Sequence, residues 1–196
     1  RYMGDMTTPA RYVAYTHNQE SFKFLMDPML QNGVEKVSAM GYGNAINALS
    51  DQEGGVAKYF SQRFAQVTNP PLDSIRESDG MTLRVALGSK HVAGESDSKQ
   101  IVVQSPILRM ADILRIREQT EVPCAEFDLL FDPDFEDDAR NEANIIQALE
   151  QVSSDVAAFA REKGGIVIVS DRHVSRAKAS LPLTLAISAI NQRLIE

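Results

Sequence analysis

Residues 127–169, FDLLFDPDFEDDARNEANIIQALEQVSSDVAAFAREKGGIVIV, decide the fold. Phe127 to Phe131 is an apolar run of strand length. Ile145, Leu149, Val152, Val156, Phe159 and Ala160 then recur at the spacing of one helical face. Gly164-Gly165 ends that helix, because glycine takes a left-handed backbone without a Cβ penalty. Ile166 to Val169 is apolar throughout, the pattern of a strand covered on both faces. A helix between two such strands places them parallel through a right-handed crossover. Downstream, Leu183, Ile187, Ile190 and Leu194 mark a last helix with Pro182 in its first turn. The order β-α-β-α predicts an α/β domain of parallel β-α-β units with helices packed on a sheet.

In parallel sheets ligands gather beyond the carboxyl ends of the strands. That rule singles out Asp132 after the first strand and Asp171, Arg172 and His173 after the second, all expected along one edge. Asp171 can accept a proton or position a donor, and His173 titrates in a useful range. The same residues serve as well to cap and pair at a loop, and no nucleophile accompanies them. Asp132, Asp134, Glu136, Asp137 and Asp138 suggest a divalent cation. A calcium loop, however, needs glycine at its sixth position and a carboxylate at its twelfth, where Asp137 and Ala143 stand. The acidic run suits instead the positive end of the helix that follows. His17, His91 and His173 lie far apart and adjoin no cysteine, so zinc has no support.

Toward the N-terminus, Met110, Ile113 and Leu114 start a short helix, and Ser105-Pro106 breaks a short strand at Ile101-Val102-Val103. The polar run 91–99, HVAGESDSK, reads as a loop. Met81, Leu83, Val85 and Leu87 alternate with Thr82, Arg84 and Ala86 like a half-buried strand. A helix over 52–66 meets Thr68-Asn69-Pro70-Pro71, which no helix crosses: each proline fixes its own φ and extends the residue before it. Gly41-Tyr42-Gly43-Asn44 reads as a turn rather than a phosphate loop, since no strand precedes it and the third glycine is missing. Thr16 or Asn18 caps a helix carrying Phe22, Leu25, Met26, Met29 and Leu30 to Gly33, kinked or split at Pro28. Residues 1–14 read as a frayed edge or the tail of a preceding domain.

The 196 residues are 43% hydrophobic and 24% charged, enough for one globular domain with a core. The net charge is -7, and the 20 lysines and arginines are scattered, which argues against nucleic acid or an anionic membrane as partner. A lone Cys124 forms no internal disulfide, and no apolar run approaches a membrane span, so the expected compartment is cytoplasmic.

The run Phe60 to Glu77, FSQRFAQVTNPPLDSIRE, resembles the FAQVTNPPID-x-x-RE signature of the glutamate synthase central domain. Other pieces follow in that family's order: Ser38-Ala39-Met40-Gly41, Ala48-Leu49-Ser50, Ser105-Pro106-Ile107-Leu108, Phe127 to Phe131, and Val169-Ser170-Asp171-Arg172. The resemblance covers residues 15–196. The chain is a divergent member, with Tyr42-Gly43-Asn44-Ala45 where the family has Asp-Asp-Thr-Pro. The resemblance implies a connecting domain, a rudimentary relative of a TIM-type FMN barrel, between a glutaminase domain and an FMN synthase domain of one parent chain. The parent makes two glutamates from glutamine and 2-oxoglutarate, with an NADPH-dependent small subunit or ferredoxin supplying electrons through FMN and an iron-sulfur cluster. No catalytic, cofactor or metal residue falls in this segment, which the resemblance implies is cut short at its C-terminus. In the family this domain helps wall an ammonia tunnel, and Thr68, Asn69 and Pro70 are the candidates nearest that path. A free-standing α/β domain that binds a small molecule is the alternative, and the sequence flanking the segment in its parent gene discriminates the two.

Overall fold

The computed structural model describes residues 8–15, 17–34, 72–89 and 99–196. The Gly41 to Asn44 turn, the helix expected over 52–66, the Thr68-Asn69-Pro70 turn and His91 lie outside the described residues.

Helix α1, Thr8–Ala14, precedes a longer helical run in which Ser21–Met26 form a π-helical turn that passes into α2, Asp27–Asn32. Of the two caps expected, Asn18 is the described one, its side chain accepting the Ser21 amide at 2.9 Å. Pro28 stands in the first turn of α2, just past the junction with the π-helical turn. The wider turn ahead of it, with the Asp27 amide on the Phe22 carbonyl, relieves the crowding a proline imposes on the preceding turn. Gly33 closes α2 at φ 63°, as its position predicts. Phe22 sets its ring edge-on to Tyr12, 4.7 Å between centroids, and so fastens the run to α1.

Helix α3, Ser74–Gly80, starts at Asp73, whose carboxylate accepts the amides of Ile75 and Arg76. The alternation from Met81 becomes a strand only at β1, Val85–Leu87, which pairs antiparallel with β2, Ile101–Val103. Met81 itself caps α3 with its amide on the Glu77 carbonyl, so the first residues of the pattern are spent closing a helix. Helix α4, Met110–Glu118, follows. Its exit is shaped by Gln119, whose side chain donates to the carbonyls of Ile116 and Val122 and accepts the amides of Glu121 and Val122.

The β-α-β-α order is present. Strand β3, Cys124–Asp128, runs parallel to β5, Ile166–Ser170, with Phe127 opposite Val169 and Asp128 opposite Ser170. Helix α5, Asp138–Glu162, joins them, and α6, Leu183–Ile195, packs beside α5. The expected strand Phe127 to Phe131 is corrected in one respect: it starts at Cys124 and breaks at Leu129. Leu129 donates to the Ser170 carbonyl at 2.8 Å and accepts from Leu181 at 2.9 Å, so the chain changes partner there. Beyond it, β4, Leu130–Phe131, pairs antiparallel with β6, Ala179–Ser180. Pro182 stands just before α6 rather than inside it, where its missing amide costs nothing.

Pleating sorts the side chains of the parallel pair onto two faces. Phe127, Val167 and Val169 join Leu129, Val152, Val156, Leu181, Ala186 and Ile190 in the core under α5 and α6. Cys124, Ile166 and Ile168 turn to the other face, with Ile116 of α4 and Leu87, Ile101 and Val103 of the hairpin. The apolar run at Ile166 to Val169 is thus covered on both sides, as its composition demands.

Candidate functional site

The carboxyl ends of β3 and β5 lie on one side because the strands are parallel and in register. Glu126 and Asp128 share a face of β3, and Ser170 lies opposite Asp128. Glu126 stands 3.1 Å from Nε of Arg117 on α4 and 3.8 Å from Nε of Arg172, its side chain 16% exposed. The guanidinium of Arg172 also donates to the Met110 sulfur at 3.3 Å, tying the end of β5 to the start of α4.

Asp171, Arg172 and His173 form a tight turn closed by the Val174 amide on the Asp171 carbonyl at 3.0 Å. The partner of His173 is Asp128, with Nδ1 2.8 Å from Oδ1 and both side chains about half exposed. Asp171 lies near Tyr15 at the end of α1; burial, and then the Asp171 charge, raise the tyrosine hydroxyl above its usual 10.0. Asp132 pairs with Lys178 at 2.6 Å, and its carbonyl accepts from Asn144 of α5. Sequence reasoning missed Glu126, Asp128 and Lys178. The alternation Cys124, Glu126, Asp128 against Ala125, Phe127 carried the signal for the first two, once the strand is started at Cys124.

The acidic run before α5 works as the helix dipole argument expects. Asp137 caps the helix by accepting the Arg140 amide at 3.1 Å, Asp134 pairs with Arg140, and the Asn141 side chain bonds both backbone groups of Asp134. Among the described residues no group of three His, Cys, Asp or Glu side chains is arranged to hold a metal ion. No helix among them is long and apolar enough to cross a membrane.

Beside these pairs a cleft of about 330 Å³ opens between β3, β4 and α5. Phe127, Leu130, Phe131, Ala148 and Val152 give it an apolar floor. Asp128, Asp132, Asn144, Gln147, Gln151, Asp155 and Lys178 line its rim.

Comparison with known proteins places this geometry in context. The profile described as the glutamate synthase central domain matches residues 10–196. The large chain of the NADPH glutamate synthase of Azospirillum brasilense is 32% identical over 190 residues, covering 94% of this chain and 12% of that protein. The ferredoxin-dependent glutamate synthase of Cyanidium caldarium is 29% identical over 189 residues, covering 95% of this chain and 12% of its own length. The NADPH glutamate synthase large chain of Bacillus subtilis is 29% identical over 196 residues, with 97% and 12% covered. The chain therefore spans about 12% of the length of these relatives. With the profile matched from residue 10 to the final residue, the chain belongs to the glutamate synthase central domain family.

Proposed function

We propose that this chain is the connecting domain of a cytoplasmic glutamate synthase, joining a glutaminase domain to an FMN synthase domain and helping to wall the ammonia passage between them. The match over residues 10–196, in proteins of which the segment is only about 12%, carries this reading. The parent converts glutamine, 2-oxoglutarate and reducing equivalents into two glutamates. An NADPH-dependent small subunit or ferredoxin supplies the electrons.

The cofactors belong to the parent's other domains. An iron-sulfur cluster needs several thiolates, and this chain has Cys124 alone. A flavin phosphate favours open amides at a helix start, and at α5 the Asp137 carboxylate already accepts the Arg140 amide. The segment is not catalytic by itself. Its charged strand-end groups bind one another, Glu126 to Arg117 and Arg172, Asp128 to His173. The fold is a rudimentary relative of a TIM-type FMN barrel. Support comes from the parallel pair β3 and β5 joined by α5, the unit such barrels repeat.

Thr68, Asn69 and Pro70 are the part of the segment we place nearest the ammonia path, on the family resemblance of the sequence around them. In the full-length protein, Thr68→Leu and Pro70→Ala are expected to raise the ratio of glutamine hydrolysed to 2-oxoglutarate aminated. Added ammonium restores the amination. An unchanged ratio in both variants would remove the turn from the path.

A further inference from the structure

We propose that the cleft between β3 and α5 is a binding site for a small aliphatic cation, an alkyl guanidinium or alkyl ammonium ion. Its volume of about 330 Å³ suits a small ligand. Phe127, Ala148 and Val152 supply an apolar floor, which takes a hydrocarbon stem.

The charge balance selects the head group. Of the carboxylates lining the cleft, Asp132 is matched by the Lys178 ammonium at 2.6 Å, and Asp128 bonds the His173 ring at 2.8 Å. Asp155 is different. It accepts only the Gln151 amide, at 2.9 Å, and has no cationic partner among the described residues. That same bond uses the Gln151 amide nitrogen and leaves its carbonyl oxygen as a second acceptor one helical turn away. An apolar floor beneath an unmatched carboxylate and an amide oxygen complements a stem that ends in several N–H donors. A planar guanidinium engages both oxygens of a carboxylate at once. An anionic ligand meets net repulsion, and a neutral one leaves Asp155 without its ion pair. The Lys178–Asp132 pair lines the cleft near Asn144, whose amide donates to the Asp132 carbonyl.

The test is calorimetric titration of the full-length protein with butylguanidinium and with butylurea, its neutral isostere. Butylguanidinium is expected to bind one to one, and butylurea at least about tenfold more weakly. Asp155→Asn is expected to weaken butylguanidinium by about tenfold or more. Gln151→Lys abolishes binding by placing an ammonium one turn from Asp155. Both positions are exposed, so the unfolding temperature of each variant should match wild type. The proposal is overturned if butylguanidinium does not bind, if butylurea binds as well, or if Asp155→Asn binds with wild-type affinity. Binding of an arginine-containing peptide in the absence of butylguanidinium binding overturns it too, and makes the cleft a protein-docking surface.

Discussion

Gly164 and Gly165 are adjacent, both have positive φ, and both look like one helix stop, yet they should respond differently to a single methyl group. At Gly165, φ is 102°, and an added Cβ would lie 2.1 Å from the Pro123 carbonyl oxygen and 2.9 Å from its carbonyl carbon. That oxygen cannot move aside freely, because it accepts the Ile166 amide at 2.8 Å and so opens the parallel ladder. The Gly165 amide also donates to the Ser89 hydroxyl at 3.0 Å, which ties the end of the β1–β2 hairpin to this turn. Backbone strain costs about 1–3 kcal/mol and overpacking against fixed backbone a similar amount. Gly165→Ala should therefore lose roughly 3–5 kcal/mol, lowering Tm by roughly 6–20 °C for a domain of this size. At Gly164, φ is 61°, an ordinary left-handed value, and among the described residues the added Cβ would meet the Ser89 side chain, its hydroxyl at 2.6 Å. A serine rotamer change relieves that contact but gives up the Gly165 amide bond, so Gly164→Ala should cost about 2–3 kcal/mol, and Gly164→Asn less. Urea unfolding followed by circular dichroism measures all three. Equal losses at the two glycines would refute the assignment of Pro123 as the fixed obstacle.

Leu129→Ala removes a fully buried side chain at the point where the chain passes from the parallel to the antiparallel ladder, and should cost about 3–5 kcal/mol in the same assay. A loss under about 1 kcal/mol would mean that the pivot collapses around the gap. Burial raises the Cys124 thiol above its usual 9.0, and burial with the Asp171 charge raises Tyr15 above 10.0. Both groups are thus favoured neutral in the folded state. Their contribution to stability is full below about pH 9 and is lost as pH rises through the raised values. The expected unfolding profile falls on the alkaline side, and iodoacetamide at pH 8 should label Cys124 slowly until denaturant is added. Rapid labelling of the folded protein would contradict the partly buried placement of the thiol.

Much of the C-terminal half was legible because its signals are local. The stripe from Ile145 to Ala160, the glycine pair and the run Ile166 to Val169 each declare a period or a stop within a few residues. The crossover rule then fixes the relative direction of the strands without any knowledge of contacts. The acidic residues before α5 were likewise readable as charges suited to the positive end of a helix, and Asp137 caps it. The match to the glutamate synthase central domain was also present in the sequence, in the order of motifs from Ser38 to Arg172.

Tertiary structure decided what depends on partners distant in the chain. No local pattern says that Leu129 changes ladders, since the reason is the arrival of Leu181 from beyond β5. The same holds for the strand-end charges. Sequence proximity to a strand end nominated Asp132 alongside Asp171 and His173, but the pleat and the register give His173 to Asp128 and leave Asp132 to Lys178. A one-residue difference in where a strand stops turns a carboxylate to the other side of the sheet. The cleft beside α5 has the same origin: its carboxylates are spread along the chain from Asp128 in β3, through Asp132, to Asp155 in α5. Which of them meets an ammonium group depends on where Lys178 returns. Periodicity within the chain set the elements and their order, and long-range pairing of backbone and charge set which side chains face one another.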